Sequence, residues 1–233
     1  MPVAADEDSS GIQINDGAVA GERMSLEEQY RLIMANGSVK QKEEALLLYQ
    51  QAKSGFNGAP YAIGHWELSV THCEQEKGTW CGPATLRQTL LYINGTARDQ
   101  SYLAGKLETD KTIKGTTDTM MLKQVNALQN EHAYYELDIP DKDTYLTTVY
   151  ASLSSDKPVI DIVDTSAARE IFSYDALHFL SISGISTKND EVFIVDPAVE
   201  DIRVDGHSRA KRWVEAEGMF NATFAHDCQA IIG

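Results

Sequence analysis

The run Gln75-Glu76-Lys77-Gly78-Thr79-Trp80-Cys81-Gly82-Pro83-Ala84-Thr85 decides how this chain is read. Proline is favoured in the first turn of a helix, where its missing N–H removes nothing, so Pro83 places Cys81 at or just before a helix N-terminus. The unpaired N–H groups and the dipole of such a terminus favour an anion, and the thiolate is the nucleophilic form of cysteine. A thiolate attacking a carbonyl also needs donors aimed at the oxygen that becomes negative, and the Gln75 side-chain amide with the Cys81 backbone N–H are the candidates. Taken singly, Cys81 reads as a buried structural thiol and Gln75 as a surface glutamine.

Working outward, the spacing predicts a helix from Gly82 to Ile93 closed by Asn94-Gly95, with further helices near 97–107, 118–130 and 143–153. After Pro158 the texture changes to strands at Val159–Val163, Leu177–Ile185, Glu191–Val195 and Gln229–Ile232. Helices first and strands after make an α+β domain with an antiparallel sheet. Toward the N-terminus, Ser25-Leu26-Glu27-Glu28 has capping-box spacing and opens a helix with Leu26, Tyr30 and Ile33 on one face. A second helix from Ser38 carries Ala45, Leu46, Tyr49 and Ala52, making a helical hairpin. The turn-rich Gly55-Phe56-Asn57-Gly58-Ala59-Pro60 is the clearest boundary. The expected organisation is a flexible lead over 1–24, a hairpin appendage over 25–58 and a catalytic domain over 59–233.

The chain has 233 residues, enough for one large domain, and a 42% hydrophobic content that supplies a core. Its net charge of −15 repels phosphate backbones and anionic membrane surfaces, so nucleic acid is not an expected partner. No apolar stretch approaches the ~20 residues of a spanning helix, so membrane insertion is not expected. Met1 through Glu7 lacks the pattern of a secretory signal, which leaves a cytoplasmic protein or one whose signal was removed. Cys73, Cys81 and Cys228 do not have the spacing of a zinc site. If Cys81 is the nucleophile, Cys73 and Cys228 are either a disulfide, favoured by export, or two buried thiols.

A thiolate nucleophile needs a base, and His65, His72, His132, His178, His207 and His226 are available. His178 opens the apolar strand Leu177 to Ile185 and is either that base or a core histidine; His72, near Gln75, is the second choice. The next strand ends in Asp196-Pro197-Ala198. A turn over Ser186–Asp190 centred on Lys188 would put Asp196 opposite Leu180, diagonal to His178 on the same sheet face, and a slip of one residue would undo this. Asp161 and Asp164 are rivals on another strand, and Asp196 could equally do no more than end its own.

Gln75, five intervening residues and Cys81 have the spacing of oxyanion glutamine and nucleophile in papain-like peptidases, and Trp80-Cys81-Gly82-Pro83-Ala84 resembles the bacteriocin-leader (double-glycine) peptidase family, its stand-alone bacterial members in particular. The resemblance covers roughly residues 61–233 and is concentrated around 75–85, His178 and Asp196. Papain differs in having an aromatic residue where Gly82 follows the nucleophile. The resemblance implies a papain-like fold, with the nucleophile helix packed on the antiparallel sheet. It also implies a catalytic histidine at the start of a strand (His178) and a third residue at the end of the next (Asp196). The activity expected is peptide-bond hydrolysis through a thioester, on a peptide or protein substrate and with no metal or organic cofactor. Resolution of the same thioester by an amine, giving a transpeptidase or acyltransferase, and a non-catalytic peptide-binding module are the alternatives.

Overall fold

The computed structural model describes residues 16–53, 64–110, 115–200, 203–204 and 207–233. In chain order these form β1 (Ala18–Val19), α1 (Leu26–Asn36), α2 (Val39–Lys53), β2 (His65–Glu67), α3 (Cys81–Asn94), α4 (Gln100–Leu107), β3 (Thr116–Thr117), α5 (Asp118–Ala127), β4 (Glu136–Asp138) and α6 (Lys142–Ser154). There follow β5 (Val159–Asp164), β6 (Leu177–Ser186), β7 (Glu191–Val195), β8 (Arg203–Val204), β9 (His207–Ser208), β10 (Lys211–Glu215), α7 (Ala216–Ala225) and β11 (Ala230–Ile232).

The main sheet is antiparallel, ordered β10-β7-β6-β5-β11-β4, with β2 also paired to β6. Alternation along its central strands sorts the core into two layers. Val159, Val163, Leu180 and Ile182 pack with Tyr145, Leu146 and Val149 of α6 and Met219 and Ala222 of α7. Ile160, Ile162 and Phe179 face the other way, onto Leu86 and Leu90 of α3 and Met121 and Leu122 of α5. Two buried polar side chains fix how α3 lies on the sheet: Thr85 Oγ1 donates to the Phe179 carbonyl at 3.0 Å, and Ser181 Oγ donates to Gln88 Oε1 at 2.9 Å. Buried polar atoms must be paired, so α3 is held in one register along β6.

The β6–β7 hairpin differs from its expected geometry in an informative way. The turn is Thr187–Asp190, one residue shorter than expected, so Ser186 pairs with Glu191 and Ile185 with Val192. Continued unchanged, that register would bring Asp196 opposite Ser181, on the face away from His178. A β-bulge at Ser183 takes up one residue, after which Ile182 pairs with Ile194 and Ser181 with Val195. Asp196 therefore follows opposite Leu180, on the His178 face.

The capping box at Ser25 and Glu28 forms, and Ile33 and Ala45 of α1 and α2 are buried against Ala133 and Tyr135. Gln41 donates to the carbonyls of Asn126, Gln129 and His132, so the hairpin is fastened to the end of α5 and the loop that follows it. Leu46, placed on the buried stripe by periodicity, is 41% exposed, because the buried stripe of α2 runs through Gln41 and Ala45. Residues 54–63, which contain the expected boundary, lie outside the described residues, as does the first part of the expected flexible lead; its second part, 16–24, has a defined path that includes β1. α7 was not anticipated, since Gly218 and Thr223 lower its helix propensity and burial between the sheet and α6 decides its form.

Candidate active site

α3 begins at Cys81. Its N-cap is Trp80, whose indole has no acceptor, and no side chain caps the first turn. The indole N–H is turned away to the Asp110 carboxylate at 3.2 Å. No side chain spends the free N–H groups of the first turn, and the dipole of α3 favours an anion at this end.

His178, second residue of β6, is fully buried beside this terminus. Its Nε2 is 3.0 Å from Asp196 Oδ1, and its Nδ1 has no hydrogen-bond partner among the described residues. Burial pulls the imidazole pKa down, but the Asp196 hydrogen bond, then the Cys81 thiol, outweigh it and raise the value to about 9. Asp196 moves oppositely: burial pushes its carboxyl up, and His178, the Arg212 charge and the Ala198 N–H bring it below the usual range. Cys81, His178 and Asp196 thus form a connected set that favours imidazolium over imidazole.

Asp196 is held on all sides. Oδ1 also accepts from Ala198 N at 2.9 Å, and Oδ2 accepts from the Tyr174 hydroxyl at 2.9 Å. The Tyr174 ring stands edge-on to His178 with centroids 5.5 Å apart. Sequence reasoning missed Tyr174, which lies in the irregular 168–176 segment where no periodicity marks a role; its one signal was an aromatic residue four positions before His178. Asp196 also lines a pocket of about 330 Å³, together with Tyr174, Ser208, Arg209 and Arg212 among others.

Gln75 is buried, and its N–H donates to the Pro197 carbonyl at 2.9 Å, tying the loop before α3 to the loop after Asp196. Its Nε2 donates to the carbonyls of Lys77 and Gly78, both at 3.1 Å, while its Oε1 has no partner among the described residues. Both amide hydrogens are therefore engaged within the loop, and an oxyanion role would require one to turn.

His72 bonds the Asp196 backbone carbonyl at 3.0 Å and so supports the same loop from outside. Asp161 is sealed in the core, accepting from Tyr145 and Thr223, and burial raises its carboxyl to about 7. Asp164 caps the turn at Thr165–Ala167. Cys73 and Cys228 are free, not bridged; each is buried, and burial pushes the Cys228 thiol up to about 12. Cys228 Sγ lies 3.1 Å from His226 Nδ1, a local partner in place of Cys73.

Residues 67–219 match the model of the Peptidase_C39 like family, more than half of the chain. No curated protein matches the chain. Among solved structures, xylellain, a cysteine protease from Xylella fastidiosa, is 9% identical, with 94% of each chain covered and a TM-score of 0.54. A double glycine motif protease from an AMS/PCAT transporter, in complex with the leader peptide, is 14% identical over 72% of this chain and 91% of that one, with a TM-score of 0.47. Digestive procathepsin L 3 of Tenebrio molitor larval midgut is 12% identical over 90% and 78%, with a TM-score of 0.46. At these identities the likeness to xylellain speaks for a papain-like fold and for nothing finer.

Proposed function

Because the chain belongs to the Peptidase_C39 like family and is a papain-like cysteine peptidase, we propose that Cys81 is its nucleophile, His178 its base and Asp196 the residue that orients the base. The observation that carries this reading is the buried His178–Asp196 pair at 3.0 Å, set beside a thiol at the uncapped start of a helix. His178 Nδ1 takes the Cys81 proton, the thiolate attacks a peptide carbonyl, and backbone N–H groups at the start of α3 stabilise the oxyanion. The imidazolium then protonates the leaving amine, and water drawn in by the neutral imidazole resolves the thioester. Asp196 stabilises the imidazolium without taking its proton. Gln75, turned from its loop carbonyls, would supply a second donor to the oxyanion.

The test is hydrolysis of a diverse peptide pool by the wild type, Cys81→Ala and His178→Ala, read by mass spectrometry. Loss of cleavage in both variants with the fold retained supports the assignment, and cleavage by Cys81→Ala overturns it. Ligated products would instead identify an amine as the acceptor.

A further inference from the structure

The pocket beside Asp196 takes no part in the chemistry proposed above. None of its lining residues comes from α3, and it meets the catalytic set through Asp196 and Tyr174. At about 330 Å³ it lies at the small end of ligand cavities. The other polar walls are Arg209, Arg212, Ser173 and Ser208, and Ile171 with Val199 supplies an apolar wall. In a chain of net charge −15, two guanidinium groups thus converge on one cavity. Asp196 is the one carboxylate among its lining residues, and that carboxylate is already committed. Its Oδ1 serves His178 and the Ala198 N–H, and its Oδ2 accepts from Tyr174.

Backbone groups, and not ion pairs, place the two arginines. The Asp196 N–H donates to the Ala210 carbonyl at 2.8 Å, which sets the 209–212 stretch beside the end of β7. Ser208 Oγ accepts from the Lys211 N–H at 2.8 Å and closes the turn that leads into β10. Arg212 Nη1 donates to the Arg209 carbonyl and Nη2 to the Ile171 carbonyl at 2.8 Å, so the guanidinium is clamped between two walls of the pocket. A guanidinium has five N–H donors, and these two bonds leave the others for a ligand. Among the described residues, neither Arg209 nor Arg212 forms an ion pair. The positive charge is nonetheless felt at the site: burial raises the Asp196 carboxyl and the Tyr174 hydroxyl, and the Arg212 charge is among the influences that oppose it in both.

We propose that this pocket binds the carboxylate of a small peptide-like ligand, with Arg209 and Arg212 holding the charge and Ile171 and Val199 taking the apolar part. A planar guanidinium fork matches a carboxylate with two parallel hydrogen bonds. The apolar wall and the volume suit a group the size of one residue better than a bare inorganic ion. A peptide C-terminus and an acidic side chain offer the same chemistry here. Occupancy is transmitted to the catalytic set through Tyr174, whose hydroxyl holds Asp196 and whose ring stands edge-on to His178 at 5.5 Å.

The test is an NMR titration of the full chain with three probes: N-acetyl-leucine, which carries a terminal carboxylate, N-acetyl-glutamic acid α-amide, which carries a side-chain carboxylate, and N-acetyl-leucinamide, which carries none. One of the two acids should bind about tenfold or more tighter than the amide, and shift the Tyr174 and His178 ring resonances as it does so. Which acid binds tighter tells a chain end from an acidic side chain. Arg212→Gln and Arg209→Gln should each weaken that binding by about tenfold or more. Arg209→Gln serves if Arg212→Gln does not fold, because the Arg209 side chain makes no bond to the described residues that the substitution would break. Equal affinity for the acids and the amide would overturn the proposal, as would unchanged affinity in folded Arg209→Gln or binding that leaves the Tyr174 and His178 resonances in place. The titration involves no turnover, so its failure leaves the peptidase assignment standing, and cleavage by Cys81→Ala would sink that assignment without touching the binding result.

Discussion

Asp196→Asn isolates charge from shape at the centre of the site. The amide occupies the same volume and keeps an oxygen able to accept from His178 Nε2, so the neutral tautomer stays in place while the negative charge is gone. In the wild type the raised value of about 9, set against an ordinary 6.5, gives (9 − 6.5) × 1.36, or about 3 kcal/mol in favour of the imidazolium. Asp196 is the first of the influences that lift it against burial. With a neutral residue there, burial is opposed by the thiol alone, and the His178 midpoint should fall by about 1–2 pH units. The assay is a ¹⁵N NMR titration of the imidazole rings in the whole chain, with the His178 resonances assigned through His178→Gln. Stability offers a second readout with a definite sign. A histidine whose pKa is raised on folding contributes stability that is complete below the unfolded value of 6.5 and is lost as pH rises through about 9. The wild type should therefore lose up to about 3 kcal/mol across that window, and Asp196→Asn distinctly less. An unchanged His178 midpoint in the variant would refute the reasoning, because the charge would then not be what holds the proton.

Asp196→Ala should cost less turnover than His178→Ala, since the first removes a support and the second the base; the reverse order in kcat would mean that another group holds the ring. Tyr174→Phe keeps the ring on His178 and removes the hydroxyl bonded to Asp196, which should lower stability by about 1.5–3 kcal/mol in urea unfolding; no change would make that bond idle. Gln75→Ala should lower kcat more than it raises KM, by about 10²-fold, and an unaltered kcat would confine Gln75 to its loop contacts. A thiol count in denaturant without reductant should give three free thiols, and a count of one would contradict the free Cys73 and Cys228.

The parts of the molecule legible in the sequence are those governed by short-range rules. Pro83 marked the start of α3, Ser25 with Glu28 marked α1, and the apolar runs at 159–163 and 191–195 marked strands because burial on both faces leaves little else to choose. What stayed illegible depends on partners far along the chain. Gly17 looks like one more small residue in a polar lead until the fold brings residue 81 against it. Tyr174 acquires its meaning only from Asp196, 22 residues on. The two-residue strands at Ala18–Val19 and Thr116–Thr117 are too short for a period to be read and exist through each other. Cys228 found His226 two positions away, a pairing that spacing alone did not rank above a bridge.

The Ser183 bulge bears on how this hairpin can vary in length. Along a β-strand, the side that a residue serves is a matter of parity: odd or even, with no intermediate value. The shortened turn and the bulge are two odd steps between His178 and Asp196, and their sum is even, which is why the carboxylate arrives where the imidazole is. Loss of the bulge with the turn pairs Ser186–Glu191 and Ile185–Val192 kept would leave one uncancelled odd step and put Asp196 opposite Ser181, on the wrong side of the sheet. A residue inserted at Lys188, by contrast, can be taken up by a longer turn with every ladder pair kept, so the count that decides where Asp196 arrives is held at the bulge and not at the loop.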